Sequence, residues 1–299
     1  MYVLACLFPF LSLLACCVVV EWWWIVTHSG SRVGWLATDH FFPEWDAWML
    51  FMSQELTPAL SLDSLRSSHP IEATVHRPAE VEQIFDQISY AKGASVVRML
   101  SAFLGQDVFL AGVARYLKQH IYGNARTRDL WASLSAESGM DVSRFMALWT
   151  QQTGYPVLTV TRQGSQLAVR QSRYLSTGDV HPEDDQNTWW VPLGLITSAA
   201  STDPQNIILE SREATIPLPQ QPISFYKLNL DQKAIFRVKY PTEDLRSLSA
   251  AVAQGTSGLR ANDKVGVLMD ALALARSGQC STTDFLEVLD GFKSESNYL

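Results

Sequence analysis

Leu148-Trp149-Thr150-Gln151-Gln152-Thr153-Gly154-Tyr155-Pro156, followed by Val157-Leu158-Thr159-Val160-Thr161-Arg162, is where the period of this chain changes. Before it, apolar residues recur at helical spacing, and 143–152 is the last such run, ended by Gly154 and Pro156. After it, 157–162 is strand-like, Gln163-Gly164-Ser165-Gln166 reads as a turn, and 167–174 returns as the hairpin mate. The segments 189–196, 206–210, 225–230 and 234–240 are further short strand candidates, separated by turn-rich links such as 202–206. Short strands with no intervening helices predict a small antiparallel β-sandwich.

Outward from this point the pattern is helical on both sides. In Val81-Glu82-Gln83-Ile84-Phe85-Asp86-Gln87-Ile88 the apolar residues fall at i, i+3, i+4 and i+7, one face of a helix. Ser89-Tyr90-Ala91-Lys92-Gly93 interrupts it, and the period resumes through Val96, Val97, Leu100, Phe103 and Leu104 until Gly105. The segment 107–120 is amphipathic, and Thr127 is a plausible N-cap for the helix that follows. Beyond Pro241 the helical period returns over 263–276 and 283–291, about two helices, too little to bury a core alone. The expected fold is therefore multi-domain α+β: helical, then β, then helical.

The chain has 299 residues, 47% of them hydrophobic, enough to bury a full core. Only 18% are charged, which excludes a wholly disordered, highly charged chain. Lys+Arg 23 against Asp+Glu 30 gives −7, with no basic surplus to neutralise a phosphate backbone, so nucleic acid is excluded as a partner. Cys6, Cys16 and Cys17 lie in the uncharged stretch 1–20, and the rest of the chain holds only Cys280. An internal disulfide in the body is thus excluded, which favours a reducing compartment and is also compatible with export.

Residues 1–26 are apolar for long enough to cross a bilayer, which takes roughly 20 residues. Trp22, Trp23 and Trp24 would suit the headgroup interface. No Lys or Arg precedes the apolar region, unlike a cleaved secretory signal. Three readings stand on these residues: a membrane anchor, a buried N-terminal helix, or a stretch that is not native protein sequence.

A zinc peptidase normally needs two histidines one helical turn apart, with a glutamate between them as general base. His28, His40, His69, His76, His120 and His181 include no two that stand four apart, and no H-E-x-x-H exists. Nor is there a phosphate loop, a G-x-S-x-G elbow, or a C-x-x-C pair in the body. Cys16-Cys17 reads as hydrophobic filler, His40 as an ordinary surface or boundary residue, and Glu183-Asp184-Asp185 as a solvated loop. Two segments resist such plain readings. Ser67-Ser68-His69-Pro70-Ile71-Glu72 sets a His and a Glu around a Pro in an expected loop, and 89–93 breaks a regular helix with a tyrosine and a glycine. A tyrosine hydroxyl beside a metal can donate to a developing oxyanion; the alternative for Tyr90 is a core-boundary residue whose hydroxyl is satisfied locally.

Together these segments resemble the zinc aminopeptidases of the puromycin-sensitive and alanyl aminopeptidase family, the gluzincin metallopeptidases, from about Val33 onward. Gly34-Trp35-Leu36-Ala37-Thr38-Asp39-His40-Phe41-Phe42-Pro43-Glu44-Trp45 is similar to the segment after the family's third zinc ligand. The 67–72 segment matches its S-S-H-P-I-E motif, and 88–94 resembles the segment bearing its transition-state tyrosine. The 148–156 segment resembles its junction into the β-sandwich, and Phe236-Arg237-Val238-Lys239-Tyr240 with Asn262-Asp263-Lys264-Val265-Gly266 its next junction.

The resemblance implies four parts: 1–31, an apolar leader foreign to the family (a truncated gene model or translated non-coding sequence); 32–153, the helical C-terminal half of a thermolysin-like catalytic domain; 154–240, a β-sandwich; and 241–299, the beginning of a helical C-terminal domain. It implies a fragment of a zinc-dependent metalloaminopeptidase that removes N-terminal residues from peptides. The G-A-M-E-N and H-E-x-x-H motifs are missing, and Thr27-His28-Ser29-Gly30-Ser31 stands where the third ligand would fall. Only Tyr90 carries over as a catalytic residue. Zinc is the family's cofactor, but none is expected to bind this chain, and no hydrolysis is expected of it alone. Peptides are the implied substrates, the implied location is cytoplasmic, and no oligomeric state is implied. The alternatives are a non-catalytic interaction protein pairing with full-length relatives, and a membrane-anchored ectodomain held by residues 1–26.

Overall fold

The computed structural model describes residues 33–73, 86–199 and 207–295. The leader 1–31, the start of the 81–88 pattern and the 202–206 link lie outside the described residues.

Helix α1 runs over 33–41, and a 3-10 turn, Pro43–Trp45, leads into α2 over 47–63. Helix α2 carries a π turn, Met52–Leu56, in its middle. Its cause is local: Pro58 has no N–H to give to the preceding turn, and the Thr57 N–H reaches back five residues to the Met52 carbonyl. The Thr57 hydroxyl takes the same carbonyl at 2.7 Å. Helix α3, Ile88–Leu104, also opens on a π turn, Ile88–Lys92, which packs against the one in α2.

Gly93 to Ser101 of α3 are all buried, so it forms the spine of the helical half. It turns by 116° into α4, Gln106–Gln119. Helices α5, Thr127–Ser138, and α6, Val142–Thr150, complete this half. The N-cap of α5 is Arg126, not Thr127, which is the first helical residue and buried. The Arg126 N–H is taken by the Asp129 carboxylate at 2.7 Å, so the cap comes from within the helix. Among the described residues no single helix is long and apolar enough to cross a membrane.

Among the described residues the β half holds three small sheets, the largest of them mixed rather than wholly antiparallel. β1, Pro156–Gln163, and β2, Gln166–Arg173, form the expected hairpin, pairing Gln163 with Gln166 across a two-residue turn. β3, Val191–Pro192, pairs with β5, Ile208–Leu209, and β4, Ile196–Thr197, pairs with β7, Tyr226–Lys227. The expected 189–196 strand is therefore split: Pro192 cannot donate to a ladder, and Leu193 and Gly194 instead accept from Asn229 and Leu230. β6, Glu213–Pro217, joins the far edge of β2, and β8, Arg237–Lys239, lies parallel to β1. The large sheet, ordered β6-β2-β1-β8, is mixed because the chain reaches β8 only after the long excursion from 174 to 236.

Among the described residues three helices follow, where the sequence showed about two: α7, Thr242–Ala253; α8, Ala261–Arg276; and α9, Thr282–Asp290. They bury a core of their own, with Leu245, Leu248, Val252, Val267 and Val288 packed with Phe225. The main core crosses the change of period without a break. Phe145 of α6 stacks on Trp190 at 4.3 Å, Phe103 of α3 meets the same ring edge-on at 4.5 Å, and Trp149 Nε1 donates to the Trp190 carbonyl at 2.8 Å.

Candidate functional site

Tyr90 stands in the π turn that opens α3 and is 36% exposed, at the boundary of the helical core. Its N–H donates to the Asp86 carbonyl at 3.0 Å, and the Ser89 N–H donates to Asp86 Oδ1 at 2.9 Å. The second carboxylate oxygen of Asp86 lies 2.7 Å from His69 Nε2, whose other ring nitrogen meets the Pro70 carbonyl at 2.9 Å. Partial burial works against a charge on His69, but the Pro70 carbonyl and the Asp86 carboxylate outweigh it and raise its pKa above the ordinary histidine value. Two segments far apart in the chain are thus joined through Asp86.

The 148–156 junction meets them as well. Lys92, at the end of the same π turn, is buried and reaches Asp63 of α2 at 2.8 Å, the Gly154 carbonyl at 3.1 Å and the Gln152 carbonyl at 3.3 Å. Asp63 Oδ1 accepts the Gly154 N–H at 3.0 Å and the Ser68 hydroxyl at 2.7 Å. Tyr155 donates its hydroxyl to the Leu60 carbonyl at 3.0 Å. Glu72 receives Gln151 Nε2 at 3.1 Å and gives its own N–H to the Thr150 carbonyl at 2.8 Å. Burial lifts the carboxyl pKa of Glu55, which sits on the α2 π turn facing that of Tyr90.

His40 is exposed, with Phe41 edge-on to its ring. Of the acidic run, Glu183 is exposed as expected, while its neighbours are structural. Asp184 pairs with Arg66 at 3.0 Å, and Asp185 pairs with Arg212 at 2.8 Å and accepts the Arg173 N–H at 2.7 Å. The loop reads as solvated in the sequence because its arginine partners lie in other segments. Among the described residues no three His, Cys, Asp or Glu side chains converge to hold an ion. His69, the histidine of the S-S-H-P segment, already faces a partner at each ring nitrogen. The described residues therefore do not fit a zinc centre. What the arrangement supplies is a phenol on a braced turn.

The sequence profile of the Peptidase family M1 domain matches residues 17–149, beginning within the stretch 1–31, and that of the ERAP1-like C-terminal domain matches 225–299. Aminopeptidase 2 of Candida albicans is 42% identical over 268 residues, which cover 89% of this chain and 28% of that protein. The Alanine/arginine aminopeptidase of Saccharomyces cerevisiae is 41% identical over 267 residues, 89% of this chain and 30% of that protein. Aminopeptidase M1 of Arabidopsis thaliana is 40% identical over 282 residues, 89% and 31% respectively. The chain thus spans under a third of the length of these relatives.

Proposed function

This chain belongs to the M1 peptidase family, and from that premise we propose that it supplies the Tyr90 side of a zinc-dependent aminopeptidase site, without hydrolysing peptides on its own. The phenol of Tyr90 would donate a hydrogen bond to the oxyanion formed when the bond after a peptide's N-terminal residue is attacked. The observation that carries this reading is the bracing of the Tyr90 turn at both ends, by Asp86 with His69 and by Lys92 with Asp63. Such rigidity is what a preorganised donor requires, since a donor that must first reorganise loses much of its effect. The missing H-E-x-x-H motif supports the absence of hydrolysis by these residues alone.

In this reading 32–153 is the helical C-terminal half of the catalytic domain, 154–240 a β-sandwich domain and 241–299 part of the helical C-terminal domain. The change from helical to extended backbone at Pro156, and back after Pro241, supports those boundaries. The test is an assay of the purified chain on a panel of aminoacyl anilides with zinc supplied. No turnover above buffer is expected. Zinc-dependent turnover that disappears in Tyr90→Phe would uphold the role of Tyr90 and overturn the inactivity.

One observation favours a second reading, a non-catalytic partner of full-length relatives. Phe41, Phe42 and Trp45 are 70%, 44% and 55% exposed, with Phe42 and Trp45 stacked at 4.4 Å. Exposed aromatic clusters of this kind mark association surfaces. Size-exclusion of the chain with and without a full-length relative decides it: co-elution that is lost in Trp45→Ser supports pairing, and separate elution refutes it.

A further inference from the structure

His69 and Tyr90 are linked through one aspartate. Asp86 receives His69 Nε2 at 2.7 Å on Oδ2 and the Ser89 N–H at 2.9 Å on Oδ1, and its carbonyl receives the Tyr90 N–H at 3.0 Å. The other face of the imidazole is just as constrained, with Nδ1 2.9 Å from the Pro70 carbonyl oxygen. A carboxylate and a peptide carbonyl both accept and have no proton to give. A neutral imidazole carries one N–H, so it serves one of these partners and turns a lone pair on the other. Only the imidazolium donates to both, and charge-assisted bonds of this kind are the stronger class.

We propose that His69, held as the imidazolium, is a positioning residue for Tyr90: it fixes Asp86, which sets the first turn of α3 and so the place where the phenol is presented. This rests on the reading of Tyr90 as the oxyanion donor. A helix start leaves its first N–H groups without intrahelical acceptors, and here Asp86 provides two, one from its side chain and one from its backbone. Among the described residues the charged groups acting on His69 are Asp86, in contact, and Asp63; both favour the proton, in line with the raised pKa. The far end of the turn is held separately by the buried Lys92–Asp63 pair. Deprotonation therefore loosens the Ser89–Tyr90 end of the turn and leaves the body of α3 in place.

The test is amide hydrogen exchange on the full chain from pH 5.5 to 8.5, normalised to intrinsic rates, for peptides covering 86–92, with 93–101 as the folding reference. The imidazole of His69 is titrated in parallel by NMR. In the wild-type chain, protection at Ser89 and Tyr90 is expected to fall several-fold as pH rises through the His69 titration. His69→Gln keeps an N–H toward Asp86 without titrating, so its protection is expected to be flat with pH. His69→Ala is expected to show low protection throughout. Protection in the wild-type chain that is flat across the His69 titration, or as high in His69→Ala as in the wild type, overturns the proposal. If 93–101 loses protection in a variant, the wild-type profile alone decides. None of these readouts depends on turnover, so a failed aminopeptidase assay and a failed positioning test are separate results.

Discussion

Lys92 Nζ stands 2.8 Å from Asp63 Oδ2, with both side chains 1% exposed. Among the described residues no aligned hydrogen bond reaches that oxygen, so the contact is one of charge, while Oδ1 takes the hydrogen bonds from Gly154 and Ser68. Removing water from two ions costs several kcal/mol each, about what their attraction returns, so the pair adds little net stability. Breaking it is another matter, because one charge is then left buried without its counterpart.

Lys92→Met is expected to destabilise the chain by about 3–5 kcal/mol in urea unfolding. Adding Asp63→Asn should recover part of that loss, since it removes the stranded charge and keeps an acceptor for the Gly154 N–H. Equal stability of the single and double variants would refute the account.

Gly178 and Gly139 have similar positive φ, 77° and 71°, but different surroundings. An added Cβ at Gly139 meets nothing within 4 Å, whereas at Gly178 it falls 1.9 Å from the Ser277 carbonyl oxygen, which is backbone. Gly139→Ala should cost about 1–2 kcal/mol from the left-handed conformation alone. Gly178→Ala should cost about 1–3 kcal/mol more, because the turn after β2 must separate from the end of α8. Thermal melts of the two variants test the difference.

Asp179 and Asp184 both have carboxyl pKa values below the ordinary range. The Thr177 hydroxyl and then Arg66 act on Asp179; Arg66 and then the His181 N–H act on Asp184. A lowered folded pKa stabilises above the unfolded value near 3.8, and the contribution is lost as pH falls through the folded value. Arg66→Gln should therefore flatten the loss of stability below about pH 4, and more so at low salt, because Arg66 and Asp179 are solvent-exposed. Unfolding curves across pH 2.5–5 at two ionic strengths measure it.

Trp149→Ala should cost about 3–5 kcal/mol, the range for a buried aromatic truncated to alanine. Its indole also satisfies the Trp190 carbonyl from across the period change. Helical and β signals in circular dichroism should therefore shift together; if only the helical signal moves, the core is not continuous there.

Element types were legible where burial follows a period. The β1–β2 hairpin and helices α8 and α9 show it. β6 was not, since its alternation rests on two residues, half-buried Ala214 and buried Ile216, too short a pattern to stand out. The parallel pairing of β8 depends on a partner some 80 positions away, Val157 with Arg237, which local pattern cannot report. The π turn of α2 was hidden too, because one extra residue in a turn barely disturbs a 3.6 period, whereas that of α3 showed only as the interruption at 89–93. At the candidate site, the Tyr90 and His69 segments stood out as sequence. Asp86, Asp63 and Lys92, which hold them, did not: their contacts reach 17 residues from His69 to Asp86 and 91 from Asp63 to Gly154.

The pinning of 152–155 back onto α2 and α3 bears on how this chain can be recombined. A crossover placed at the visible change from helix to strand would separate Tyr155 from Leu60 and Gly154 from Asp63 at once. Chimeras with relatives should therefore carry 60–155 as a single inherited block and cut after the junction rather than at it. The place where the sequence changes most plainly is a seam, and a poor place to divide the molecule.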